Sequence, residues 1–306
     1  MKVLLTGGAG YLGYALVERL QAEDSAAGEL GIYDNLSRRT YAFFGGNFGK
    51  RLPMRFVKGE LLDGRSLGKA LEGVDAVVHL AAKVSTPFAD HEAHAFDQVN
   101  HWGTAQLVQA VRDTPSVRQF IYLSSASVYG HAETPATEEN PPHPESFYGH
   151  AKLRGEEQLI RLPANCRTHI IRAANLYGYN PAIRYDAVLN RFVFEAHFSG
   201  RITIQGSGEQ VRPFLHVNKM ADLLARLLDS KVPAGIYNAV EHNLTVQELA
   251  ALVGELYPGL EFLTVNQHLR MRSLRIATPP RLLDYLPLQE KPLKDELSRF
   301  REQFAF

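Results

Sequence analysis

The run KVLLTGGAGYLG, residues 2–13, constrains this chain more than any other stretch. A short, mostly apolar segment breaks into glycines at positions 7, 8, 10 and 13, and a helix-period segment follows. The glycines satisfy two overlapping spacings, GxGxxG at Gly8, Gly10 and Gly13 and GxxGxxG at Gly7, Gly10 and Gly13. That spacing suits a strand that turns sharply into a helix whose first amide groups face a pyrophosphate, since a Cβ there would block the approach. A strand before the loop and a helix after it predict the first unit of a dinucleotide-binding fold.

The first half of the chain repeats the alternation. Apolar runs at 2–6, 29–33, 55–58, 76–80, 120–124 and 168–172 read as strands, and segments 11–23, 93–113 and 147–161 read as helices. Strands this continuous in apolar content are buried on both faces, which predicts a doubly wound parallel sheet of the Rossmann type, an α/β fold. At 306 residues the chain can bury one large core or two lobes sharing a cleft.

Beyond about residue 175 the pattern becomes irregular, with a helix near 186–199, a strand near 202–205, a helix near 219–228, and punctuation by Pro213, Pro233, Pro258, Pro279 and Pro280. The expected organisation is a dinucleotide-binding domain over 1–175, also receiving segments near 214–240, and a mainly substrate-binding α/β lobe over 176–306. That smaller lobe is expected over the carboxyl edge of the sheet. The stretch 41–50, rich in Phe and Gly, reads as an irregular connector.

Thirty-three basic and thirty-three acidic residues give no net charge, and no block of like charges stands out. Electrostatic binding to nucleic acid or to an acidic membrane therefore has no support. The lone Cys166 cannot form an internal disulfide, lacks neighbours at metal-ligand spacing, and reads as a small buried hydrophobe; no metal site is expected. No apolar stretch is long enough for a signal peptide or a membrane span, so the expectation is a cytoplasmic enzyme.

Asp34 ends the second strand, about 20 residues past the glycine loop, where a carboxylate accepts hydrogen bonds from ribose hydroxyls and repels a 2′-phosphate. NAD is favoured over NADP, although Arg38 and Arg39 follow closely and could neutralise a phosphate. Tyr11 and Leu12 in the loop and Asn35 beside Asp34 complete this end of the cofactor set. Asp63 has two readings, a partner for the adenine amino group or the N-cap of a helix in the DGRSL turn. In HLAAK, residues 79–83, Leu80, Ala81 and Ala82 let the backbone pass close to the pyrophosphate, and His79 reads as a satisfied strand-end histidine.

The next feature is chemical. SSASVYG at 124–130 ends a strand with Ser125, and YGHAK follows with Tyr148 and Lys152 four residues apart on one helical face. An ammonium beside a phenol favours phenolate and pulls the tyrosine pKa down from about 10, which would make Tyr148 a general base. Ser125 can bond the same substrate oxygen and orient it. Tyr148 and Lys152 serve in both the catalytic and the cofactor set.

With these pieces in place the chain resembles the extended short-chain dehydrogenases/reductases, in their nucleotide-sugar epimerase and dehydratase branch, over nearly its whole length. TGGAGYLG, YDNLS, HLAA, VNHWGT, SSASVYG, YGHAK, RAANLYG and QVRPFLHV carry the likeness. It implies catalysis by Ser125, Tyr148 and Lys152, with Asn100 a structural helper placed in the cofactor set. Ser125, Ser127 and Asn175 are implied near the sugar or its phosphates, and Arg212 at a nucleoside diphosphate, where a planar guanidinium meets phosphate oxygens in pairs. The plain alternatives are a turn residue for Asn175 and a surface salt bridge for Arg212.

Ala126 and Ser127 stand where the family's dehydratases carry an Asp-Glu pair and its decarboxylases a glutamate. The resemblance therefore points to an NAD-dependent epimerase, acting at C4 of a nucleotide-diphosphate sugar through a keto-sugar. A reductase, dehydrogenase or dehydratase of the same family is the alternative, followed by a non-catalytic dinucleotide sensor. Pro213, Asn218 and Lys83 depart from the usual pattern, and the second phosphate arginine stays open among Arg270, Arg272 and Arg275. A homodimer through the helices near 93–113 and 147–161 is implied by the resemblance alone.

Overall fold

Twelve strands occur among the described residues: β1 (Lys2–Thr6), β2 (Glu29–Asp34), β3 (Met54–Lys58), β4 (Ala76–His79), β5 (Gln119–Ser125), β6 (Arg167–Ala173), β7 (Asn175–Tyr177), β8 (Arg201–Gln205), β9 (Val211–His216), β10 (Gly235–Ala239), β11 (His242–Thr245) and β12 (Glu261–Val265). The computed structural model describes residues 1–22, 24–39, 41–49, 51–84, 93–132, 134–266 and 271–304. Seven strands form one all-parallel sheet in the order β10-β6-β5-β4-β1-β2-β3. The order reverses between β1 and β4, so a crevice opens at their carboxyl ends, where such sheets bind ligands.

The apolar runs are continuous because the sheet has a core on each face. Val3, Leu5, Ile32, Val78 and Ile121 point into one apolar cluster, while Leu4, Tyr33, Val77, Phe120 and Tyr122 point into the other. On one face helix Tyr11–Leu20 packs along helix Val217–Leu228, tied by an ion pair of 2.7 Å between Arg19 and Asp222. On the other, helices Gly64–Ala70 and Gly103–Arg112 lie together, with Leu67, Leu107 and Val108 fully buried.

The helix expected over 93–113 is not continuous. An α-turn at Ala93–Phe96 gives way to a π-helical segment, Asp97–Trp102, before the α-helix resumes at Gly103. The Thr104 hydroxyl donates to the Asn100 carbonyl at 2.8 Å, and such side-chain capture of a carbonyl competes with regular helical bonding. The helix read over 11–23 ends at Leu20, and the one over 147–161 is an α-helix to Gln158 finished by a 3₁₀ turn.

The second half is more ordered than its sequence suggested. β11-β9-β7 form a small mixed sheet and β12-β8 a parallel pair, flanked by helices Val188–Ser199, Val246–Leu256 and Leu293–Glu302. Pro213 fits inside β9 because pairing with β7 begins only at Phe214, so the missing N–H falls where a single neighbour is present. β10 crosses back to pair with β6 at the edge of the large sheet. Among the described residues no helix is long and apolar enough to cross a membrane.

Candidate active site

A cleft of about 1180 Å³ lies over the carboxyl ends of β1, β4 and β5. That exceeds the ~300–1,000 Å³ usual for a single small-molecule pocket and leaves room for two ligands end to end. Gly7, Gly10, Tyr11, Leu12, Gly13, Asp34, Asn35, Leu80, Ala81 and Ala82 line one end of it, and Ser125, Ser127, Tyr148, Asn175 and Arg212 line the other.

At the first end the main chain sets the shape. Gly7 has φ +72°, and a Cβ on it would stand 2.5 Å from the amide nitrogen of Ala81, so the loop and the end of β4 approach as closely as two backbones can. A Cβ on Gly13 would meet the Gly8 carbonyl oxygen at 2.4 Å. Gly10 caps the following helix without a side chain, leaving its first amide groups directed at the cleft. These are features a pyrophosphate requires, and the residues fit NAD.

Asp34 accepts from the Ala9 amide at 3.1 Å and the Leu36 amide at 2.8 Å. Burial raises its carboxyl above the usual value against the pull of those two amides. Asp63 takes the capping role: its carboxylate accepts from the Ser66 amide at 3.0 Å, and the cleft is lined by its neighbours Gly59, Glu60, Leu61 and Leu62. Tyr11 is buried and its hydroxyl donates to the Gly178 carbonyl, stitching the glycine loop to the second half of the chain.

Asn100 does not reach the cleft. Fully buried on the π-helical segment, it donates to the Lys83 carbonyl at 2.8 Å and accepts from the Lys83 amide at 2.9 Å. This corrects its place in the cofactor set: both halves of its amide are spent on the backbone that follows Ala82. His79 is likewise structural, bridging the hydroxyls of Thr6 and Thr104 at 2.7 and 2.9 Å. Thr104 gives its proton to Asn100, so His79 Nε2 is the protonated nitrogen, and burial pushes the imidazole pKa down to about 3.

Ser125 is the last residue of β5, and its hydroxyl lies 3.0 Å from that of Ser127 and accepts from the Ser127 amide. Ser146 caps the helix Phe147–Gln158 through the Gly149 amide, which sets Tyr148 in the first turn, facing the cleft. Burial raises the Tyr148 phenol above its ordinary value, opposed by a hydrogen bond with Ser125 and by the charge of Arg184. The expected lowering by Lys152 is not found. The Lys152 ammonium donates instead to the Leu123 carbonyl at 2.8 Å and sits 4.9 Å from the centre of the Tyr122 ring, behind the cleft wall. A buried ammonium needs acceptors and a π face supplies part of its solvation; even so, burial brings its pKa down to about 7.

The far wall carries cations. Asn175 is on a strand, not a turn, and donates to the Pro213 carbonyl at 3.0 Å. Arg212 makes no salt bridge among the described residues; it bonds the Arg272 carbonyl, and burial together with the Arg272 charge lowers its pKa to about 10. Arg272 also lines the cleft and pairs with Glu145 at 3.1 Å, whereas Arg275 does not line it and Arg270 lies outside the described residues. Arg184, paired with Asp186 at 2.5 Å, and Arg191 line the same wall and were missed in the sequence. No local pattern separates these two from the other arginines of the chain.

A parallel sheet reversing over a glycine-lined cleft, with Ser125 and Tyr148 at its far end, defines a dinucleotide-dependent enzyme acting on a second bound molecule. Residues 3–239 match the family of NAD dependent epimerases/dehydratases, and the chain belongs to it. A UDP-glucose 4-epimerase of Mycolicibacterium smegmatis is 32% identical over 232 residues, 74% of this chain and 72% of that one. Human dTDP-D-glucose 4,6-dehydratase is 28% identical over 258 residues, 81% and 71% of the two chains. The structure of UDP-glucuronic acid 4-epimerase from Bacillus cereus, in complex with UDP-glucuronic acid and NAD, superposes with a TM-score of 0.84 at 21% identity, covering 99% of this chain and 98% of the other. The family is NAD-dependent and works on nucleotide sugars by epimerisation, dehydration or decarboxylation.

Proposed function

We propose that this protein is a nucleotide-sugar epimerase that oxidises C4 of the sugar transiently to a ketone and restores the hydrogen on the opposite face. The observation that carries the reading is the surroundings of Ser125. Ser125, Ser127 and Tyr148 line the cleft, Ala126 and Ser127 rather than carboxylates follow Ser125, and the carboxylate of the cleft-lining Glu145 is paired with Arg272. Eliminating water or carbon dioxide calls for a further acid or base; moving one proton and one hydride does not.

NAD, when bound, supplies the acceptor and donor of the hydrogen. Gly7, Gly10 and the free amide groups that follow hold its diphosphate, and Asp34 accepts from the adenosine ribose. Tyr148 takes the sugar hydroxyl proton and later returns it, with Ser125 bonded to the same oxygen. Lys152 contributes positive charge from behind the cleft wall, one helical turn past Tyr148, and Asn100 fixes the backbone after Ala82. Arg212, with Arg272 beside it, takes the nucleoside diphosphate, and Asn175 and Ser127 meet the sugar end.

The protein further works as a homodimer through helices Gly103–Arg112 and Phe147–Gln158 with the turns adjoining them, where Trp102, Phe147 and Ile160 present exposed apolar side chains. The enzymatic reading is tested on the purified protein with UDP-glucose, UDP-glucuronic acid and dTDP-glucose. NAD should be recoverable from the protein after denaturation, and turnover should proceed without steady release of reduced nicotinamide. Steady accumulation of free NADH would instead identify a dehydrogenase.

A further inference from the structure

Behind Ser125 and Lys152 lies a buried ionic network that the proposed chemistry does not use. Glu156 follows Lys152 by one helical turn, so the two side chains rise from one face. Its carboxylate accepts from the Ser124 hydroxyl and from Arg172 of β6 through two nitrogens, Nε at 3.1 Å and Nη2 at 2.7 Å. Arg172 lies 4.8 Å from the centre of the Tyr129 ring, and the Tyr129 hydroxyl donates to Asn238 of β10. Ser124, Lys152, Glu156, Arg172 and Asn238 are all buried.

The groups facing Lys152 are few. From β5 come the Leu123 carbonyl and the Tyr122 ring, from β4 the neutral His79, and from its own helix Glu156. Glu156 faces Ser124 and Tyr122 of β5, Arg172 of β6 and Lys152. Two cations thus share one anion in the buried interior. Burial works against the Arg172 charge, yet Glu156 outweighs it and holds the guanidinium above its ordinary pKa. Glu156 is the anion that opposes the loss of the Lys152 proton.

We propose that Glu156 is a positioning residue: pinned by Arg172 and Ser124, its carboxylate keeps Lys152 charged against the Leu123 carbonyl behind the cleft wall and fixes the end of β5 from which Ser125 projects. The inference rests on the reading of Ser125 and Lys152 as members of the active site, but its test does not depend on any substrate. Removing Glu156 alone strands Arg172 in the core and is expected to impair folding. Removing Arg172 leaves a neutral Glu156–Lys152 pair, and removing both leaves Lys152 without an anion.

The experiment is a pH titration of the protein selectively labelled with ¹³C in lysine, read by NMR, with Lys152→Met identifying the resonance. The parent midpoint is expected near pH 7. In Arg172→Met it should rise, because a nearby cation is gone. In Glu156→Gln/Arg172→Met it should fall about one pH unit or more below that of Arg172→Met, a tenfold change in proton affinity. Equal midpoints in the two variants would assign Glu156 a purely structural role and overturn the proposal, whatever reaction the enzyme catalyses.

Discussion

The two walls of the cleft are built differently. On the sheet side the main chain sets the shape: Gly7 allows two backbones to touch, two amides hold Asp34, and Asn100 clamps both backbone polar groups of Lys83. On the opposite side Arg184, Arg191, Arg212 and Arg272 reach in with long side chains, carried by one strand, one helix and two loops. A wall made of backbone demands particular residue types at fixed spacing. A wall made of arginines can recognise phosphate from many backbone positions, so it leaves no fixed spacing to read.

Substitutions on each wall should separate the two. The largest effect is expected where they meet: Tyr148→Phe should lower kcat about 10³-fold or more while NAD remains bound, measured by turnover and by the nucleotide content of the purified protein. On the sheet wall, Gly7→Ala places a Cβ against Ala81 in a left-handed conformation. NAD should be lost from the protein, with a stability cost of about 1–3 kcal/mol in urea unfolding. On the arginine wall, Arg212→Met should raise KM for the nucleotide sugar about 10–100-fold, consistent with losing about 1.5–3 kcal/mol of charge-assisted bonding, and leave NAD content unchanged. If Arg212→Met depleted NAD instead, the division between the walls would fail.

Lys152 offers a test by pH. Its folded pKa, about 7, lies below its unfolded value, so the unfolded chain binds more protons between those two values and stability rises with pH across that window. Lys152→Met should therefore be more stable than the parent below about pH 7, with the gain shrinking towards pH 10, as read by thermal melts. The smallest effect belongs to Asp63→Ala, which should cost about 1 kcal/mol as a lost helix cap and barely change NAD affinity.

This contrast also governs what could be read from residues alone. The six strands of the first half, the glycine loop and the place of Asp34, Ser125 and Tyr148 at strand ends and a helix start on the cleft were legible because burial on both faces and close backbone approach leave marks in residue type and spacing. β7, β9, β10, β11 and β12 were not: they are three to six residues long, β9 contains Pro213, and β10 begins at Gly235. The partners of Lys152 and Asn100 escaped for another reason. Both lie in tertiary contacts, the Leu123 carbonyl and the Lys83 backbone, that no local pattern encodes. Arg272 and Arg184 were separable from other arginines only by their place in the fold.

The central claim is that the hydrogen removed from the sugar returns to the same carbon. Mass spectrometry and NMR of products formed from UDP-glucose, UDP-glucuronic acid and dTDP-glucose in deuterium oxide test it directly. A C4 epimer of unchanged composition, carrying no deuterium on carbon, is the predicted result. A product lacking water or carbon dioxide, or one with deuterium fixed on the ring, would contradict it.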